Sequence, residues 1–127
     1  MAVKLNHTIV AAHDKEASAK FLAEILGLPR PAPYGPFMTV QADNDVTLDF
    51  MDTPDPIASQ HYAFLVSEED FDGILARVRE RGLTIWADPG HREPDEINTM
   101  DGGRAFYFES PEGHNLEALT RPYGSGG

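Results

Sequence analysis

Two stretches of this chain share one grammar, and that repetition limits what the chain can fold into. Leu5 to Val10 (LNHTIV) is a short apolar run of strand character, and a helical pattern comes next, from about Lys15 to Leu26. In that pattern Ala19, Leu22, Ala23 and Leu26 recur at helical spacing, and Phe21 and Ile25 widen the stripe. Asp14 is suited to cap the helix and Gly27 to end it. Gln60 to Val66 (QHYAFLV) is again a strand, succeeded by a helix that starts at Ser67 with Asp70 three residues on. It carries Phe71, Ile74, Leu75 and Val78 on one face and stops at Gly82. His7 precedes Gly27 by 20 residues and His61 precedes Gly82 by 21, so each histidine holds the same place in its unit.

The segments after the two helices are also alike. Phe37–Gln41 and Val46–Phe50 read as strands around the turn Asp43-Asn44-Asp45. In the second half Leu83–Trp86, Arg104–Phe108 and His114–Leu119 read as strands, with Pro111-Glu112-Gly113 turning the last two. The expected fold class is α+β: two paired βαβββ units forming a curved, partly open sheet cleft with helices outside. The first unit spans about 4–53 and the second about 60–120, within one domain over 1–127. The first unit lacks a clear short strand near Pro29–Pro33, and Tyr123 to Gly127 reads as a frayed end of the 121–127 tail. The polar Asp88–Gly103 loop reads equally as a lid or as a floppy surface loop.

Composition removes several kinds of function. With a net charge of -11 and ten scattered Lys and Arg, the chain offers no surface for nucleic acid or an anionic membrane. It has no cysteine, which excludes disulfides, thiolate metal sites and thiol catalysis. No stretch approaches the roughly 18 apolar residues of a membrane span, and the first residues do not form a leader, so a cytoplasmic location is expected.

Strand alternation gathers the chemistry. Leu5, His7 and Ile9 share one face, as do His61, Ala63 and Leu65, and as do Asn115, Glu117 and Leu119. If the helices cover one face of each sheet, His7, His61 and Glu117 all point to the other. Two neutral imidazoles and a carboxylate suit a divalent ion such as Fe, Mn, Ni or Zn, with positions left open for water or a small-molecule substrate. Asp49, which shares a face with Thr47 and Met51, stands as a fourth ligand, a general base or a solvated acid. Tyr107 is a candidate to offer its hydroxyl to substrate, or else is core, and Arg104 is a candidate to meet an anionic substrate, or else is an ordinary surface arginine. His13, His91 and His114 lack support from the repeat and read as non-ligands, His91 being the nearest to an exception.

The segments LNHTIVAAHDKEASAKFLAEILGL, QHYAFLVSEEDFDGILARVRERGL and AFYFESPEGHNLEAL resemble the vicinal oxygen chelate superfamily over nearly the whole chain. This superfamily includes glyoxalase I, extradiol dioxygenases, fosfomycin-resistance enzymes and bleomycin-binding proteins. The resemblance implies metal ligands at His7, His61 and Glu117, with an occasional fourth near Asp49. It implies a metal-dependent lyase, isomerase or ring-cleaving dioxygenase acting on a small oxygenated substrate. The alternative is a bleomycin-resistance-like binding protein without catalysis. The second-half segments are most similar to the fosfomycin-resistance transferases, although Ala105 replaces a hydroxyl-bearing residue expected ahead of Tyr107. A homodimer is implied, because paired units of this family commonly complete their clefts across an interface.

Overall fold

The computed structural model describes residues 2–125. The chain divides into two compact units, one ending at Ala58 and the other beginning at Ser59. Unit 1 opens with strand β1 (His7–Ala12) and helix α1 (Lys15–Leu26). The Asp14 side chain accepts from Ala17 N–H at the start of α1, and Gly27 at φ 69 closes the helix in the left-handed region. Strands β2 (Ala32–Tyr34), β3 (Phe37–Gln41) and β4 (Thr47–Asp52) come next. The sheet order is β1-β4-β3-β2, with β1 parallel to β4 and the other pairs antiparallel. Strand β2 supplies the short strand that the prolines obscured, at the sheet edge, where a missing N–H costs no ladder bond. Val10, Val40, Leu48 and Phe50 form the buried core of this sheet, with Ala19, Leu22, Ala23 and Ile25 contributed by α1.

Unit 2 contains β5 (His61–Leu65), α2 (Glu68–Glu80), β6 (Ala105–Glu109) and β7 (Asn115–Leu119). The Ser67 side chain caps α2 by accepting from Asp70 N–H, and Gly82 comes just after the helix at φ 70. Strand β7 is central, parallel to β5 and antiparallel to β6. Gly113 at φ 92 makes the turn into β7.

The expected strand Leu83–Trp86 is reduced to isolated bridges at Trp86, so this sheet has three strands and not four. Trp86 exchanges both backbone bonds with Tyr107, at 2.9 and 2.8 Å. Just beyond, the Asp88 carboxylate accepts from the N–H groups of Arg92 and Glu93, each at 2.8 Å, and pulls the chain into a turn. The observed α+β architecture of two helices and two mixed sheets is otherwise the expected one. Among the described residues, no helix is long and apolar enough to cross a membrane.

Candidate metal centre

Alternation sorts unit 2 into two faces. Phe106 meets Phe71 of α2 edge-on at 5.2 Å, so the face bearing Phe106, Phe108, Leu116 and Ala118 is the helix side. The open face is ruled in rows: Ala63, Glu117 and Tyr107 across one, His61, Asn115 and Glu109 across the next. Because Ala63 is only a methyl group, Glu117 lies open to the imidazole one row along.

His61 Nε2 is 3.1 Å from Glu117 Oε1, and its Nδ1 is 2.9 Å from the backbone carbonyl of Asn115. A carbonyl only accepts, so the neutral imidazole carries its proton on Nδ1 and presents a lone pair at Nε2. That lone pair faces a carboxylate oxygen, which also can only accept. Two such atoms repel unless a proton or a cation lies between them. Neighbouring ligands on one ion with bonds of about 2.1 Å stand about 3.0–3.4 Å apart, which matches the observed spacing. The donor pair therefore fits a divalent metal.

Glu117 is 1% exposed, and burying a carboxylate costs several kcal/mol unless donors meet it. The donor comes from a tyrosine of the C-terminal segment, itself backed by a second tyrosine. The Tyr123 hydroxyl donates to Glu117 Oε2, and Asn98 Nδ2 donates to the Tyr123 oxygen at 3.4 Å. Tyr107 stands opposite Glu117 in the same row, and its hydroxyl donates to the Tyr123 oxygen. Burial raises the pKa of Tyr107, reinforced by its bond to Tyr123 and the Glu117 charge. Burial also raises that of Tyr123, with its bond to Glu117 as the second cause. Both hydroxyls therefore stay protonated and keep donating.

The loop after Trp86 is pinned to the same face. His91, at φ 57, stacks on Trp86 with centroids 3.8 Å apart, and its Nε2 is 2.9 Å from Asn115 Oδ1. Asn115 Nδ2 donates to the Pro89 carbonyl at 3.2 Å. These contacts tether this part of the loop to the strand that carries Glu117.

Arg104 lies on the helix side, its guanidinium 2.7 Å from Glu68 Oε1, 2.8 Å from Asp72 Oδ1 and stacked over Phe71. It is not brought to Glu117, since residues 104 and 107 point to opposite faces of the strand. In unit 1, His7 is exposed, with Nδ1 2.7 Å from Asn6 Oδ1, an acceptor that leaves the lone pair on Nε2. Asp49 is 8% exposed in the row Ile9-Asp49-Thr39, and its Oδ1 has no hydrogen-bond partner among the described residues. His114 is a buried core histidine whose Nδ1 accepts from Gln60 N–H at 3.0 Å. Among the described residues no group of three or more His, Asp or Glu side chains is gathered to hold an ion, so what the structure assembles is the His61–Glu117 pair.

Tyr123 is the residue that sequence reasoning missed. The tail read as a frayed end, yet the structure places this tyrosine on the buried carboxylate; residues 126 and 127 lie outside those described. The signal was slight: one aromatic residue in a glycine-rich segment.

The chain belongs to the Glyoxalase/Bleomycin resistance protein/Dioxygenase superfamily, whose family model matches residues 4–118. With that family stands the expectation of a metal-dependent enzyme of this superfamily. The chain is 67% identical to the solved structure of Oxidase ChaP-H2, covering all of both chains with a TM-score of 0.97. It is 65% identical to Oxidase ChaP-H1, covering 98% of this chain and all of that one, with a TM-score of 0.96. It is also 34% identical over 124 residues to the glutathione transferase FosA of Serratia marcescens, covering 92% of this chain and 80% of that protein.

Proposed function

We propose that this protein is a metal-dependent oxidase whose small oxygenated substrate binds the ion through two neighbouring oxygens. The observation that carries the reading is the Nε2 lone pair of His61 set 3.1 Å from Glu117 Oε1. The full-length likeness to two oxidases supports oxidation over lyase or isomerase chemistry. We assign His7 as the third donor. Two imidazoles and one carboxylate with open positions form the donor set of non-haem Fe(II) oxygenases, which puts Fe(II) ahead of Mn, Ni and Zn. When bound, the ion supplies Lewis acidity and a point of attachment for substrate oxygens.

The chain's own residues do the rest. The Asn115 carbonyl fixes the His61 tautomer, and Tyr107 and Tyr123 hold Glu117 in place. Asp49 is assigned as the base: its buried Oδ1 lacks a bond that a substrate hydroxyl would supply while giving up its proton. Arg104 keeps a structural place against α2. We place the protein in the cytoplasm as a homodimer; Leu5 and Ile9, 69% and 49% exposed beside His7, are apolar surface of the kind a second copy covers.

The test is to load the protein in turn with Fe, Mn, Ni and Zn and to offer hemithioacetal, catechol and epoxide-phosphonate substrates while monitoring oxygen uptake. Oxygen-dependent turnover of the catechol by the Fe form is the expected result. Oxygen-independent turnover of the hemithioacetal would replace the oxidase with a lyase. Tight binding without turnover would leave a sequestering protein.

A further inference from the structure

The C-terminal segment is built onto the open face of unit 2 by interactions that its sequence does not advertise. Gly124 N–H donates to Asp101 Oδ2 at 2.8 Å, and Arg104 N–H donates to Thr120 Oγ1 at 2.8 Å. Gly103 has no room for a side chain: a Cβ there would lie 2.9 Å from both Arg121 Cβ and Thr120 Oγ1. Asp101 holds a left-handed φ of 57, a strained choice for a residue other than glycine, and its carboxylate is the one that catches Gly124. Asn98, bridged to Ala105 through bonds of 2.9 and 3.0 Å, contributes its side chain to the Tyr123 oxygen. These contacts deliver one hydroxyl to one oxygen.

The two oxygens of Glu117 are divided between different partners. Oε1 faces His61 Nε2, and Oε2 receives the Tyr123 O–H. We propose that Tyr123 is a positioning residue that anchors Glu117 Oε2, so that Oε1 alone is offered beside His61 Nε2 to a divalent ion. This rests on the reading of His61 and Glu117 as metal ligands. An ion lying between Nε2 and Oε1 leaves the Tyr123 bond in place, so the tail and the metal do not compete for one oxygen. Metal-binding carboxylates are commonly oriented by such outer hydrogen bonds, and their loss costs about 10–100-fold in affinity.

Cobalt(II) titration of the full chain, read by visible absorption, tests this with three variants. Tyr123→Phe removes only the hydroxyl, a chain ending at Pro122 removes the whole anchor, and Glu117→Gln is the control for the ligand itself. Tyr123→Phe and the shortened chain are expected to bind cobalt about 10–100-fold more weakly, with an altered absorption band that a loss of stability alone would not produce. Tyr123→Phe, which leaves a buried carboxylate oxygen without its donor, is expected to melt at a lower temperature even without metal. Wild-type affinity and spectrum in Tyr123→Phe would overturn the proposal, and so would tighter binding, which would make the tail a competitor. If wild type takes up no cobalt, the ligand reading itself falls, a result distinct from a normal wild type beside an unaffected Tyr123→Phe.

Discussion

Unit 1 and unit 2 use the same opening of histidine-bearing strand, capped helix and glycine stop, yet they leave their polar side chains in opposite states. In unit 1 His7 is exposed with one bond to its neighbour Asn6, and Asp49 is buried with an oxygen unbonded. In unit 2 His61 Nδ1 is met by the Asn115 carbonyl and Glu117 Oε2 by the Tyr123 hydroxyl, and the remaining nitrogen and oxygen face each other. The difference arises outside the repeat. Unit 1 turns the chain after its helix into edge strand β2, whereas unit 2 turns the same stretch into the tethered loop that carries His91. A repeat sets where donors stand, and the segments that break the repeat decide how firmly they are held.

The largest effect should come from the helix side of unit 2. Phe71→Ala empties a fully buried site against Phe106 and is expected to cost about 3–5 kcal/mol in urea denaturation. A contrast between the two acids sharpens the comparison. In metal-free protein Glu117→Ala removes the acceptor of the Tyr123 hydroxyl and empties a fully buried position, and should lose about 1–3 kcal/mol. Asp49→Asn, which replaces a buried carboxylate that has one oxygen unbonded, should instead gain on the order of 1 kcal/mol. If both variants shift stability in the same direction, the two units do not differ as described.

Alkaline pH probes the tyrosine pair. Because the Tyr107 pKa is raised in the fold, the unfolded chain loses that proton first, so its contribution is complete below about pH 10 and declines above it. Stability should fall above pH 10 with a slope of up to about 1.4 kcal/mol per pH unit from this group, and Tyr107→Phe should flatten that slope. The smallest effect belongs to Arg104→Ala. Its carboxylate partners are exposed, so calorimetric melting should show a modest loss that shrinks in high salt, with metal affinity unchanged.

Most of the scaffold was legible because its signals are local. The helices carry their caps and stop signals in the residues themselves, as with Asp14, Ser67 and Gly27, and strand alternation alone put His61 and Glu117 on one face. Alternation also separates Arg104 from Tyr107, although residue type alone makes both suited to meet a substrate. Leu83–Trp86 has strand composition, yet Asp88 captures two backbone N–H groups and ends the pairing at Trp86, a competition that composition does not show. Tyr123 was hidden for a different reason. Its contact with Glu117 depends on the close packing of the tail on Gly103 and on a strained turn at Asp101, neither of which has a periodic signature.

The most direct test of the central claim is the metal content of protein purified without chelator after supply of each divalent ion, measured beside His7→Ala, His61→Ala and Glu117→Ala. About one ion per wild-type chain is predicted, with a marked loss in all three variants. Wild-type protein empty at every supplied concentration, or an ion retained at full occupancy without Glu117, would contradict it.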